Sequence, residues 1–138
     1  MRLVFAIPGD LDAPTGGYGY DRRLIGELRA QGWQVEHLAL PGDYPFADLA
    51  ARRAAGGMFA ALDAGTAVLI DGLAGGVLAE VLAAEAGRLR LVALVHHPLG
   101  DETGLGEAER AGLLASERAG LAAMRAVVCT SAATGRRL

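Results

Sequence analysis

The sequence predicts an α/β fold: a Rossmann-like three-layer α/β/α sandwich around a parallel sheet of about five strands, in the order 2-1-3-4-5. Three observations predict it. Short apolar runs alternate with alanine-rich helical stretches along all 138 residues, the pattern of repeated strand–helix–strand units. The runs 66–70 and 91–95 carry no polar alternation, so they read as strands covered on both faces, as parallel strands are. A glycine-rich segment, Thr15-Gly16-Gly17-Tyr18-Gly19, follows the first apolar run and opens the first helix. That position is where such folds present bare backbone N–H groups to anions. The strand order puts a switch point between strands one and three, beside this segment and Asp71.

The first strand covers residues 2–7, and a loop from Pro8 to Gly19 leads to a helix over about 20–31, closed by Gly32. Leu24, Ile25 and Leu28 are the core-facing residues of that helix. Residues 34–40 form the second strand, ended by Pro41-Gly42-Asp43. A helix over 46–62 follows, with Phe46, Leu49 and Ala50 on one stripe and a break expected at Gly56-Gly57. Strand three is 66–70, ending at Asp71-Gly72, and a helix over 76–86 uses Val77, Val81 and Leu82. Strand four, 91–95, runs into His96-His97-Pro98 and a polar loop over 99–104. A helix over 106–123 carries Leu113, Leu114, Glu117 and Leu121, with Arg110 and Arg118 outward. Strand five is 126–130, and Ser131 is placed to cap a last helical start.

Composition excludes several classes. A net charge of −3 gives no basic face to recruit nucleic acid or anionic membrane. All thirteen basic residues are arginine, which removes the phosphate-binding P-loop and Schiff-base chemistry, both of which need lysine. The glycine spacing is not the dinucleotide fingerprint either, because Arg22 stands where its last glycine would fall. Cys129 is alone, so no disulfide framework exists and a reducing, cytoplasmic setting is expected. The N-terminal apolar run is too short for a signal peptide or a stable membrane insertion.

The candidate chemistry gathers at the carboxyl ends of the strands. Asp71 reads either as an orienter and weak base for a ligand hydroxyl or as a loop-ordering cap. His96 and His97 precede a loop where α/β sheets bind ligands. In an extended chain they point to opposite sides, so one is expected in the cleft and the other in support of the loop. Glu102 reads as a hydroxyl partner or a solvated glutamate, and Tyr18 and Tyr20 as sugar-stacking or loop-capping rings. His37 lies on the second strand, away from this end. No metal site is expected: adjacent histidines with Asp101 make a poor ligand set. The glycine segment itself reads either as a phosphate cradle or as a plain surface turn.

Thr15-Gly16-Gly17 before an arginine-bearing helix, followed by Leu28-Arg29-Ala30-Gln31-Gly32-Trp33-Gln34-Val35, resembles the opening of family 4 glycosyltransferases. The apolar strand ending at His96, and Ala126-Val127-Val128-Cys129-Thr130-Ser131, match later strands of that family. The resemblance covers essentially the whole chain but only the N-terminal half of a family member. It implies a GT-B architecture, in which residues 1–138 are the acceptor-side Rossmann-like domain and the C-terminal donor-binding domain lies outside this sequence. It implies a transferase that uses a nucleotide sugar as co-substrate, without a further cofactor, and an unidentified acceptor. Its partners are then these substrates and its own C-terminal domain. Gly16 and Gly17 would lie near the donor diphosphate. Asp71 and His96 would be catalytic, and Tyr18, His97 and Glu102 would meet the acceptor. One departure matters: the family often has a catalytically important histidine where this chain has Asp71. The isolated 138 residues are expected to fold and to be inactive. The alternative is a stand-alone Rossmann-like module that binds a phosphorylated small molecule; a nicotinamide-dependent enzyme is disfavoured by the glycine spacing.

Overall fold

Seven residues with an uninterrupted apolar centre form β1 (Arg2–Pro8), in which Val4, Phe5, Ala6 and Ile7 are wholly buried. Burial on both faces is possible only in the middle of a sheet with helices on each side. The structure, a computed structural model, describes residues 1–138. The further strands are β2 (Gln34–Leu40), β3 (Ala67–Asp71), β4 (Arg90–Val95) and β5 (Ala126–Cys129). All pair in parallel, in the order β2-β1-β3-β4-β5, as the sequence predicts.

Alternate strand residues feed two separate cores. Phe5, Ile7, Val35, Leu69 and Leu94 meet Ile25 of α1 (Gly16–Ala30) on one face. Val4, Ala6, Val68, Ile70 and Leu91 join a larger cluster on the other. That cluster takes Ala55 and Phe59 from α2 (Leu49–Ala60), Ala74 from α3 (Gly72–Gly75), Leu82 from α4 (Ala79–Glu85) and Leu113 from α5 (Glu107–Ala122). A last short helix, α6 (Ala132–Gly135), is capped by Ser131, whose hydroxyl accepts from the Thr134 N–H. Each large apolar side chain so buried contributes about 1.5–3 kcal/mol. No helix is long and apolar enough to cross a membrane.

Several local expectations change. The glycine segment is not a loop: Gly16, Gly17 and Gly19 form the first turn of α1, and none has positive φ. Thr15 starts the helix early because its hydroxyl accepts from the Tyr18 N–H at 3.1 Å. In α2 the buried stripe is Ala51, Ala55 and Phe59, while Phe46 and Leu49 are exposed; Asp48 caps the helix three residues later than expected. Gly56 and Gly57 stay helical, since the packing of Ala55 and Phe59 outweighs their low propensity.

The helix expected over 76–86 begins only at Ala79, as α4, and a short helix that was not expected, α3, precedes it, with Gly76 in the turn between them. α5 crosses so closely there that a Cβ on Gly120 would meet the Gly75 carbonyl oxygen at 2.0 Å. Leu114 on α5 is exposed, and Gly120 takes the buried place. Val127 and Val128 are exposed, because β5 is an edge strand that no long helix covers. Leu24 and Leu28 are only half-buried, flanking the smaller core.

Candidate functional site

The carboxyl ends of β1, β3 and β4 surround a cleft of about 560 Å³. Its wall begins where β1 ends: Gly9, at φ 65°, turns the chain into the segment that reaches Thr15. Thr15 satisfies the N–H groups of Tyr18, through its hydroxyl, and Gly19, through its carbonyl. The N–H groups of Gly16 and Gly17 have no partner within the helix, as in any first turn, and both residues line the cleft. The positive end of the helix dipole favours negative charge beside them.

Gly17 has a second role, set by close approach. The His96 ring lies over it, and a Cβ at this position would sit 3.2 Å from His96 Cδ2. One turn further along α1, Asp21 is completely buried, and its Oδ1 lies 3.0 Å from His96 Nε2. Asp71 ends β3, and its two oxygens divide their work. Oδ1 accepts from the Leu73 N–H at 2.9 Å and so caps α3, while Oδ2 lies 3.5 Å from His96 Nε2. The capping reading of Asp71 is therefore the one its contacts show.

The electrostatics follow from this arrangement. The hydrogen bond that His96 donates to Asp21, then that to Asp71, pushes His96 up to about 9 against the cost of burial. Burial pushes Asp21 above the usual carboxylate range, with the His96 hydrogen bond opposing it and the Asp71 charge adding to it. The floor of the cleft thus holds one imidazole between two acidic side chains, an arrangement that favours the protonated form of His96. The same three groups are close enough for a divalent ion to span, their ligand atoms all within 4.8 Å. This trio differs from the His96, His97 and Asp101 set weighed from the sequence.

Tyr18 lines the cleft, and its hydroxyl donates to the Pro8 carbonyl at 2.7 Å. Burial, then the charges of Asp71 and Asp21, pushes this phenol up to about 12. The Tyr20 and His96 rings form a T-shaped pair, with centroids 5.3 Å apart. His97 also lines the cleft, against the expectation that adjacent histidines diverge. The reason is that β4 ends at Val95 and the chain bends at His96 and His97, so strand alternation no longer applies. His97 Nε2 pairs with Glu102 Oε1 at 2.8 Å across the loop.

Seven residues singled out from the sequence line this one cleft, Gly16, Gly17, Tyr18, Asp71, His96, His97 and Glu102, whereas Tyr20 is not among its lining residues. His37 is on β2, opposite Phe5, and Asp101 pairs with Arg137. Sequence reasoning missed Asp21, Thr15, Tyr44 and Glu117. Asp21 carried a signal, since it stands at i, i+4 and i, i+7 from Ile25 and Leu28 and so interrupts the apolar stripe with a charge. Glu117 was counted on the inward face of α5, and its Oε1 accepts from the Leu99 N–H at 3.1 Å. Thr134 donates to the His96 carbonyl at 2.9 Å. Tyr44 had no such signal, because it comes from the irregular segment after β2.

Comparison of the chain with family models, curated proteins and solved structures finds no match.

Proposed function

We propose that residues 1–138 are the acceptor-side domain of a GT-B glycosyltransferase, moving a sugar from a nucleotide sugar to an acceptor together with a donor-binding C-terminal domain. One observation carries the reading: the two free N–H groups at the start of α1 and the His96–Asp71 pair share a single cleft at the switch point of the sheet. A nucleotide sugar has an anionic end and a hydroxyl-rich end, and the cleft offers a matching division. The helix N-terminus at Gly16 and Gly17 suits the diphosphate. The floor, with two carboxylates for one imidazolium, repels phosphate and suits hydroxyl groups.

In this role Asp71 Oδ2 accepts a hydrogen bond from an acceptor or sugar hydroxyl and orients it, and His96 supplies a fixed positive charge. His97 and Glu102 bind the acceptor side at the mouth. The test is sugar transfer or hydrolysis from a panel of UDP-, GDP- and ADP-sugars. It compares residues 1–138 with a protein extended through the downstream reading frame. Turnover is expected from the extended protein alone, and it should fall at least tenfold in His96→Ala. A downstream frame without a second α/β domain, or an extended protein that binds no nucleotide sugar, sinks the reading. In that event the free N–H groups of Gly16 and Gly17 favour a stand-alone module. Tight binding of a sugar phosphate by residues 1–138 would establish it.

A further inference from the structure

We propose that Asp21 is the positioning residue of this cleft: from one turn inside α1 it fixes the His96 ring between two carboxylates as a cation, leaving Nδ1–H as the donor for a ligand oxygen. The inference deepens the glycosyltransferase reading and rests on it only for which ligand supplies that oxygen.

The geometry carries the argument. His96 Nε2 faces two carboxylate oxygens, Asp21 Oδ1 at 3.0 Å and Asp71 Oδ2 at 3.5 Å, and both residues are buried. Two buried carboxylates without a cation between them would cost several kcal/mol each. Asp71 has another duty, the cap of α3, but Asp21 has none. Its Oδ1 bonds only to His96, and its Oδ2 is buried without a partner. A carboxylate kept wholly inside an apolar helix stripe for one imidazole is costly for stability, since an apolar side chain would pack there more cheaply.

The helix is also shaped for the contact. Gly17 and Asp21 are four residues apart, on the same face of α1. The missing Cβ of Gly17 lets the ring lie against the helix, and the Asp21 carboxylate then meets Nε2. The main chain of His96 is held independently, by the Thr134 hydroxyl on its carbonyl. The ring is therefore fixed at both ends.

The groups that face the ring are few. From α1 come Asp21 and the Tyr20 ring; from the end of β3 comes Asp71; from α6 the neutral Thr134 meets the His96 carbonyl, and the nearby Tyr18 hydroxyl is committed to Pro8. None is a cation. The rise of His96 to about 9, with the Asp21 hydrogen bond as its largest cause, agrees with this geometry.

The test is a ¹⁵N NMR titration of the histidine side chains in residues 1–138, with His96 assigned through His96→Asn. In the unaltered chain both His96 nitrogens should be protonated at pH 7, with a midpoint near 9. Asp21→Asn should lower that midpoint by about one unit or more, a tenfold loss of proton affinity. Asp21→Glu should restore part of it, and the His37 and His97 titrations should not move. A neutral His96 at pH 7 in the unaltered chain overturns the proposal, whether or not Asp21→Asn folds. So does an unchanged midpoint in a folded Asp21→Asn. None of these readings uses a nucleotide sugar. A cationic, Asp21-dependent His96 in a protein that turns over no sugar therefore supports the proposal and counts against the glycosyltransferase reading alone.

Discussion

Phe59 and Asp21 are both wholly buried, yet Phe59 belongs to a fifteen-residue apolar cluster and Asp21 hydrogen-bonds one imidazole. The contrast extends to the regions around them. Beneath α2, α4 and α5 the interior is dominated by that cluster of fifteen apolar residues. At the carboxyl rim lie all four buried polar residues, Asp21, Asp71, Glu117 and Thr134, and each bonds to the short segment from His96 to Leu99. Buried polar groups are tolerated where they are paired, and here most of the pairing serves one loop, with Asp71 Oδ1 capping α3 as well. Stability is thus concentrated on one side of the sheet and the fixing of a site at one end of it. Substitutions in the two regions should separate these properties.

The largest effect belongs to the apolar side. Phe59→Ala leaves a cavity in the larger cluster and should cost about 3–5 kcal/mol, read from denaturant unfolding. In the fraction that stays folded, the His96 titration should be unchanged. A shifted His96 midpoint would show that the two regions are coupled after all.

Next comes the response to pH, which belongs to the rim. The folded-state value of His96, about 9, lies above its ordinary 6.5. Its contribution to stability is therefore fully present below about 6.5 and is lost as the pH rises through about 9. The burial penalty of Asp21 is constant above the carboxylate range and leaves this slope unchanged, so the decline is set by His96 and should be at most about 3 kcal/mol. Unfolding measured between pH 6 and 10 should show this decline, and Asp21→Asn should flatten it. A stability that is level over that range would remove the imidazolium from the account.

Glu117→Ala is comparable or smaller. It leaves the buried Leu99 N–H without its acceptor, for a cost of about 1–3 kcal/mol, whereas Glu117→Gln keeps a carbonyl oxygen in place and should lose less. Amide exchange over residues 97–102 should rise in the alanine variant before any change near Phe59. Uniform loosening would mean that Glu117 supports the core rather than the loop.

Much of this contrast was legible in the sequence. The unbroken apolar runs 66–70 and 91–95 gave the sheet its central strands, because burial on both faces leaves no polar alternation. Strand ends followed from Asp71-Gly72 and Pro98, and these put the candidate residues at one rim. What failed was local. The glycines after Thr15 suggested a loop, but a threonine cap makes a first helical turn inexpensive even for glycine. The Phe46 and Leu49 stripe lost to one led by Ala51, Ala55 and Phe59, since small residues let α2 approach the sheet. Asp21 was passed over because a single charge on a helix reads as solvated. Only the tertiary approach of His96, 75 residues away in sequence, reveals its partner.

The smallest effect on stability should be the most selective for the site. Gly17→Ala adds a Cβ at a helical position without positive φ, so the backbone accepts it and gains about 0.5–1 kcal/mol of helix propensity. The same Cβ would stand 3.2 Å from His96 Cδ2, which is tight enough to move the ring by a few tenths of an ångström. The two effects oppose each other, and the unfolding free energy should change by less than about 1 kcal/mol. The ring has little freedom to yield, because Asp21 and Asp71 hold its Nε2 and Thr134 holds its carbonyl. Displacement must therefore lengthen the bond to Asp21, and the His96 midpoint should fall while the melting temperature barely moves. If both stayed put, the bare Cα of Gly17 would be a matter of helix entry alone. If stability fell by several kcal/mol, the rim and the apolar side would share one packing unit.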